Sequence, residues 1–210
     1  MLLDDVHVRY GRRGAWVLRG LSVRLEAGDT IVVDGRNGSG KSTLLRTLAG
    51  LMPISAGRIV KRPQPVAWIP EVFPSDQPFM VREYLQNAAQ LRGAADPDAV
   101  IDPLAQRLAL EPCYDDQLSE LSKGTVRKVA LVQALLAEPQ LLVADEPWDG
   151  LDAASQREVL GLLNEVTQRG GICVLTDHNA RYGKRLKGVQ YWEIADGRLN
   201  PEGSMAREER

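Results

Sequence analysis

The chain has 210 residues, 44% hydrophobic and 26% charged, with 19 Gly and 12 Pro; this ordinary globular usage excludes a disordered, collagen-like or coiled-coil protein. Its 26 basic and 28 acidic residues leave a net charge of −2, so no strong field draws in nucleic acid and no basic tract marks a lipid-binding face. The length suits one compact domain with an appended lobe.

In chain order, residues 2–10 alternate loosely and residues 17–25 (VLRGLSVRL) more regularly, around the glycine-containing turn GRRGA. That pattern predicts an antiparallel pair. Residues 30–33 (TIVV) form an apolar run without alternation, as a strand covered on both faces would, and similar runs recur at 66–69 (VAWI), 141–144 (LLVA) and 172–175 (ICVL). Helical patterns separate them at 42–49, 81–91, a Pro-started pair around Pro97 and Pro103, 125–137 and 153–169. Strands alternating with helices predict a mostly parallel α/β sheet. Residues 72–122 carry only helical pattern and read as a lobe inserted into that sheet. Residues 189–194, the Asp196-Gly197 turn and residues 198–199 predict a hairpin, and the tail 203–210 is too polar to expect order. Cys113 and Cys173 form no CxxC pair and read as reduced, buried thiols. The opening residues carry acids where a signal peptide carries bases, and no run of 18 apolar residues occurs, so direct membrane insertion is not expected.

Between the strand TIVV and the helix STLLRTLA lies Gly35-Arg36-Asn37-Gly38-Ser39-Gly40-Lys41-Ser42, a complete G-x-x-x-x-G-K-[ST] phosphate loop in the strand-loop-helix setting its mechanism requires. Glycines let successive N–H groups point inward, and the helix adds the positive end of its dipole. Lys41 is expected to neutralise the β and γ phosphates of a bound mononucleotide, and the Ser42 hydroxyl, beside Thr43, to ligate Mg²⁺. The run 141–144 ends in Asp145 and Glu146, at a strand end facing the ligand crevice of a doubly wound sheet. We assign Asp145 to the metal and Glu146 to the base that deprotonates an attacking water.

These residues resemble the nucleotide-binding domain of ABC transporters, a P-loop NTPase, over nearly the whole chain. Leu121-Ser122-Lys123-Gly124-Thr125 looks like the ABC signature segment: Ser122 can cap the following helix, and Gly124 leaves its amides open as a second anion site. The resemblance implies a single ATPase domain spanning 1–210, with 72–122 as its helical subdomain. It also implies that two ATPase subunits, alike or different, sandwich two MgATP, each closed by Ser122 and Gly124 from the opposite copy. Tyr10 then sits where an aromatic ring stacks on adenine, Asp152 in the loop coupling the two copies, and His178 where a switch histidine meets the γ-phosphate. Glu71 occupies the position of the usual metal-contacting Gln. Lys123 stands where Gly is commonest, and its roles toward the partner's nucleotide or toward solvent stay open. By resemblance the protein is an ATPase moving substrate through transmembrane permease subunits on separate chains, peripheral on the cytoplasmic face. The LSKG signature is similar to that of drug, lipid or polysaccharide exporters, and QRGGICVLTDH to a haem exporter. An ABC ATPase acting on nucleic acid or protein complexes is the alternative. A small-molecule P-loop kinase would leave the signature helix without a role.

Overall fold

The computed structural model describes residues 1–177 and 182–200. β1 (Leu2–Arg9) pairs antiparallel with β2 (Trp16–Arg24), as expected, and on its other edge with β4 (Ala56–Val60), giving a three-stranded sheet of order β2-β1-β4. β4 is absent from the sequence reading because AGRIV has almost no buried side chain to set a period. Its Gly57, at φ 82, lies so close to Asp5 that a Cβ would strike the Asp5 carbonyl.

β3 (Thr30–Asp34), β5 (Val66–Ile69), β6 (Leu141–Ala144), β7 (Ile172–Thr176), β8 (Val189–Ala195) and β9 (Arg198–Asn200) build a second sheet of order β5-β6-β7-β3-β8-β9, parallel except for the last pair. Side chains alternate between its two faces. Ile31, Val33, Leu141, Val143, Ile172 and Val174 pack with Leu44, Leu45 and Leu48 of α1 (Lys41–Ala49) and with Leu3, Val6 and Leu18 of the smaller sheet. Val32, Leu142, Ala144, Cys173 and Leu175 face the opposite cluster, shared by α4 (Lys123–Leu135) and α5 (Ala153–Gln168). Burial on both faces is what the unalternating runs at 30–33, 141–144 and 172–175 predict, whereas β5, at the sheet edge, keeps Val66 and Trp68 only partly buried.

Two α-helices lie in the expected inserted stretch, α2 (Val81–Gln90) and α3 (Pro97–Arg107), and their Val81, Leu85, Ile101 and Ala105 join the α4–α5 cluster. The Pro-started pair is in fact one helix: Asp96 caps it by accepting from the Ala99 amide at 3.3 Å, and Pro103 sits inside it on the exposed side. The about 3 kcal/mol that an internal proline costs is offset by burial of Ile101 and Ala105 on either side of it. α3 is tied to α5 where Arg107 meets Glu158 at 3.2 Å and Glu165 at 2.9 Å. The β8–β9 turn has Asp196 at φ 50 and Gly197 at φ 75, the doubly left-handed hairpin that Asp-Gly favours. Cys173 is buried, and burial pushes its thiol up to about 12; Cys113 is partly exposed, contrary to expectation.

Candidate functional site

β3, β6 and β7 end level, with Val33 opposite Thr176 and Ala144 opposite Leu175. The segments that follow all leave one edge of the sheet. After β3, Gly35, Gly38 and Gly40 hold φ of 150, 79 and 111. The requirement for glycine is steric at two of them. A Cβ on Gly35 would strike the carbonyl of Ile194 in β8, and one on Gly40 would lie 3.2 Å from the Val17 carbonyl in β2. The loop is therefore wedged between strands from both sheets, beside a cleft of about 590 Å³ lined by Trp16, Val17, residues 35–39 and residues 193–197. Gly40 caps α1 with no side chain, so the first amides of the helix stay available to an anion.

Lys41 is buried, and its ammonium arches over the loop to donate to the carbonyls of Gly35 at 2.6 Å and Arg36 at 3.2 Å. Ser39 Oγ is buried with no hydrogen-bond partner among the described residues, a donor suited to a phosphate oxygen. Tyr10 stands beside this loop: its hydroxyl meets Thr43 Oγ1 at 3.0 Å while the residue is 51% exposed.

The acid pair follows β6. The Asp145 amide continues the ladder by donating to Ile69 at 2.8 Å, and Glu146 then turns to φ 50, which ends the strand. Alternation along a continuing strand therefore does not decide where the two acids point. The adjacent strand does part of that work. Thr176 Oγ1 donates to the Asp145 carboxylate at 2.6 Å and accepts from the Glu146 amide at 2.9 Å. Both acids are buried, at 6% and 8% exposure. Glu71, exposed, follows β5 next to them, and its carbonyl accepts from Arg127 at 2.6 Å.

α4 starts two residues earlier than predicted, with Ser122 as its cap: Ser122 Oγ accepts from the Thr125 amide at 3.1 Å. Gly124 has a packing reason beyond open amides, because a Cβ there would lie 2.5 Å from the Gly150 carbonyl. Lys123 keeps a largely exposed side chain. It pairs with Asp149 of its own chain at 2.6 Å, which holds the Asp149 carboxyl below its usual range.

A family model described as ABC transporter matches residues 18–149. The chain belongs to the ABC transporter family. A zinc import ATP-binding protein, ZnuC, of Cereibacter sphaeroides is 34% identical over 179 residues, covering 83% of this chain and 72% of that protein. A Nod factor export ATP-binding protein I of Paraburkholderia xenovorans is 33% identical over 214 residues, 96% of this chain and 69% of its own. A solved ATP-binding subunit of an ABC transporter superposes with a TM-score of 0.82 at 28% identity, covering 94% of this chain and 87% of that one. This ABC protein is thus an ATP-binding ATPase built on the P-loop fold.

Asp152 of this ABC protein caps α5, accepting from the Ser155 amide at 2.8 Å, with Lys128 at 3.9 Å. His178 lies outside the described residues. Just before it, Asp177 Oδ2 accepts from the amides of Tyr182 at 2.9 Å and Gly183 at 2.8 Å. Asn37 is exposed and Gly38 has open space around it. Sequence reading missed Thr176 and Arg127. A polar residue closing a buried strand and a lone arginine in a helix with a largely apolar face were the available signals. Among the described residues no helix is long and apolar enough to cross a membrane.

Proposed function

We propose that this ATPase is the motor of a transporter. Two ATPase subunits close on two MgATP, hydrolysis and product release reopen them, and the movement passes to transmembrane permease subunits on separate chains, with the motor peripheral on the cytoplasmic face. The observation that carries this reading is the convergence of the phosphate loop after β3 and the acid pair after β6 at one edge of one sheet. The helical stretch 72–122, which we read as a subdomain of a single ATPase domain spanning 1–210, offers the permease a docking surface, and ion-pairing of α3 to α5 keeps that stretch in register with the core.

In this mechanism Lys41 exchanges its two carbonyl partners for β and γ phosphate oxygens, assisted by the amides of residues 35–43 and the Ser39 hydroxyl. Tyr10 lends its exposed ring to adenine. Ser42, Asp145 and Glu71 are the oxygen donors that would hold Mg²⁺, a hard cation that beside a nucleotide needs only one or two protein oxygens together with phosphate and water. Bound there, Mg²⁺ would supply charge neutralisation at the phosphates. Glu146 takes the proton of the attacking water, and His178 contacts the γ-phosphate. Ser122 and Gly124 of the opposite subunit complete the pocket, with Asp152 in the loop between subunits.

We read the direction as export, supported by the LSKG signature and by a Nod factor exporter aligning over 96% of this chain against 83% for the zinc importer. Import is the second reading, favoured by that zinc relative. Purification from detergent tests the proposal: a multi-spanning membrane protein should accompany the ATPase in stoichiometric amount. Recovery with a nucleic acid or a soluble complex instead would overturn it.

A further inference from the structure

α4 places a guanidinium where an aliphatic side chain would pack. Arg127 is 3% exposed, and among the described residues it forms no salt bridge. Its fork donates to three main-chain carbonyls: Nη1 to Pro70 at 2.6 Å and to Asp145 at 3.4 Å, and Nη2 to Glu71 at 2.6 Å. Two of these oxygens lie in the segment leaving β5, and the third belongs to Asp145, the residue that follows β6. Burial draws the Arg127 pKa down, opposed by the surrounding carboxylates of Asp149, Asp145, Glu146 and Glu71.

Stripping water from a guanidinium whose direct partners are neutral carbonyls is costly, and an apolar residue in its place would leave those carbonyls without their donor. A planar fork does what neither an aliphatic chain nor an ammonium can, because its N–H groups stand at fixed angles and so fix consecutive carbonyls relative to the helix. One turn earlier on α4, Lys123 reaches Asp149 and Gly124 packs on Gly150. The same short stretch of helix therefore holds the segment carrying Glu71, the end of β6 and the loop beyond Glu146, and it begins with Ser122.

We propose that Arg127 is a positioning residue that makes the placement of Glu71 and Asp145 depend on the Ser122–Gly124 turn. When the opposite subunit's nucleotide engages that turn, α4 shifts as a rod, and the fork carries the carbonyls of Pro70, Glu71 and Asp145 with it. The metal side of one ATP site is thereby aligned by events at the other. This inference rests on the role proposed above for Ser122 across the subunit boundary.

The test uses the full chain carrying Arg127→Lys or Arg127→Met. Turnover, ATP affinity, half-saturating Mg²⁺ and thermal midpoint are measured, together with ATP-driven dimerisation in the Glu146→Gln background by light scattering. The expected result is a kcat lowered at least tenfold by Met and less by Lys. ATP affinity should stay within twofold, half-saturating Mg²⁺ should rise, and dimers should persist. Should the Met variant fail to fold, the Lys variant decides alone. Parental kcat and Mg²⁺ dependence with only a lowered thermal midpoint would overturn the inference, since Arg127 would then be structural. So would a loss confined to ATP affinity or to dimer formation. If the Glu146→Gln parent itself forms no dimer with ATP, the role of Ser122 falls and this inference with it; if the parent dimerises and the Arg127 variants turn over normally, this inference alone falls.

Discussion

The hydroxyl of Thr176, the last residue of β7, donates to the carboxylate of Asp145 across 2.6 Å, and the same oxygen accepts from the next amide along, that of Glu146. One side chain on a neighbouring strand thus fixes the start of both acids. Thr176→Val keeps the shape and removes both bonds. The variant should lose about 1–3 kcal/mol of stability, the usual cost of leaving buried polar groups unpaired, and should hydrolyse ATP more slowly. Denaturant midpoint and turnover check this; parental values for both would contradict it.

Glu146→Gln should retain ATP binding while slowing hydrolysis by on the order of 10²–10⁴-fold, the span of a general base. Steady-state turnover at the parental rate would remove Glu146 from that role.

Lys41→Ala withdraws a buried ammonium from the phosphate loop. A charge-assisted hydrogen bond is worth about 1.5–3 kcal/mol, so ATP affinity should drop roughly 10- to 100-fold. An unchanged dissociation constant in a calorimetric titration would contradict the assignment.

Ser122→Arg puts a long side chain at the cap of α4 that is proposed to meet the opposite nucleotide. ATP-driven dimers should disappear while single-chain ATP binding survives. Their persistence in light scattering with hydrolysis suppressed would exclude the contact.

Acid should loosen α3 from α5. Hydrogen bonding and charge from Arg107 hold the Glu165 carboxyl below its usual value of 4.5. A folded-state value depressed in this way contributes stability that is present above the unfolded value and lost as pH falls through the folded one. The pair is about one-third exposed, so solvent screening limits the contribution to about 1 kcal/mol or less. Thermal midpoints should decline below about pH 4.5, and Glu165→Gln should flatten that decline while lowering the midpoint at neutral pH. An identical acid limb in both proteins would show the pair to be inert.

The central strands were legible because burial on both faces favours unbroken apolar, often β-branched runs, and TIVV and ICVL write that constraint openly. β4 was not, since its side chains are mostly exposed and its partner is set by the close approach of Gly57 to Asp5. Pro103 misled the reading of α3 because a helix tolerates a proline when buried neighbours hold it. At the site, the phosphate loop declares itself by spacing, since all three glycines hold left-handed φ and two of them also admit no Cβ. Thr176, Arg127 and the Lys123–Asp149 pair do not: the partners of each lie on other elements, dozens of residues away along the chain, and nothing local marks them.

The first glycine of the phosphate loop rests on the Ile194 carbonyl, and β3 leans on β8 along its whole length. A ribosome that has not yet made β8 therefore holds a chain with the nucleotide motif already translated but its floor missing. A fragment ending ahead of Val189 would keep the phosphate-loop sequence but lose the strand that flanks β3, and should bind ATP more weakly than the full chain.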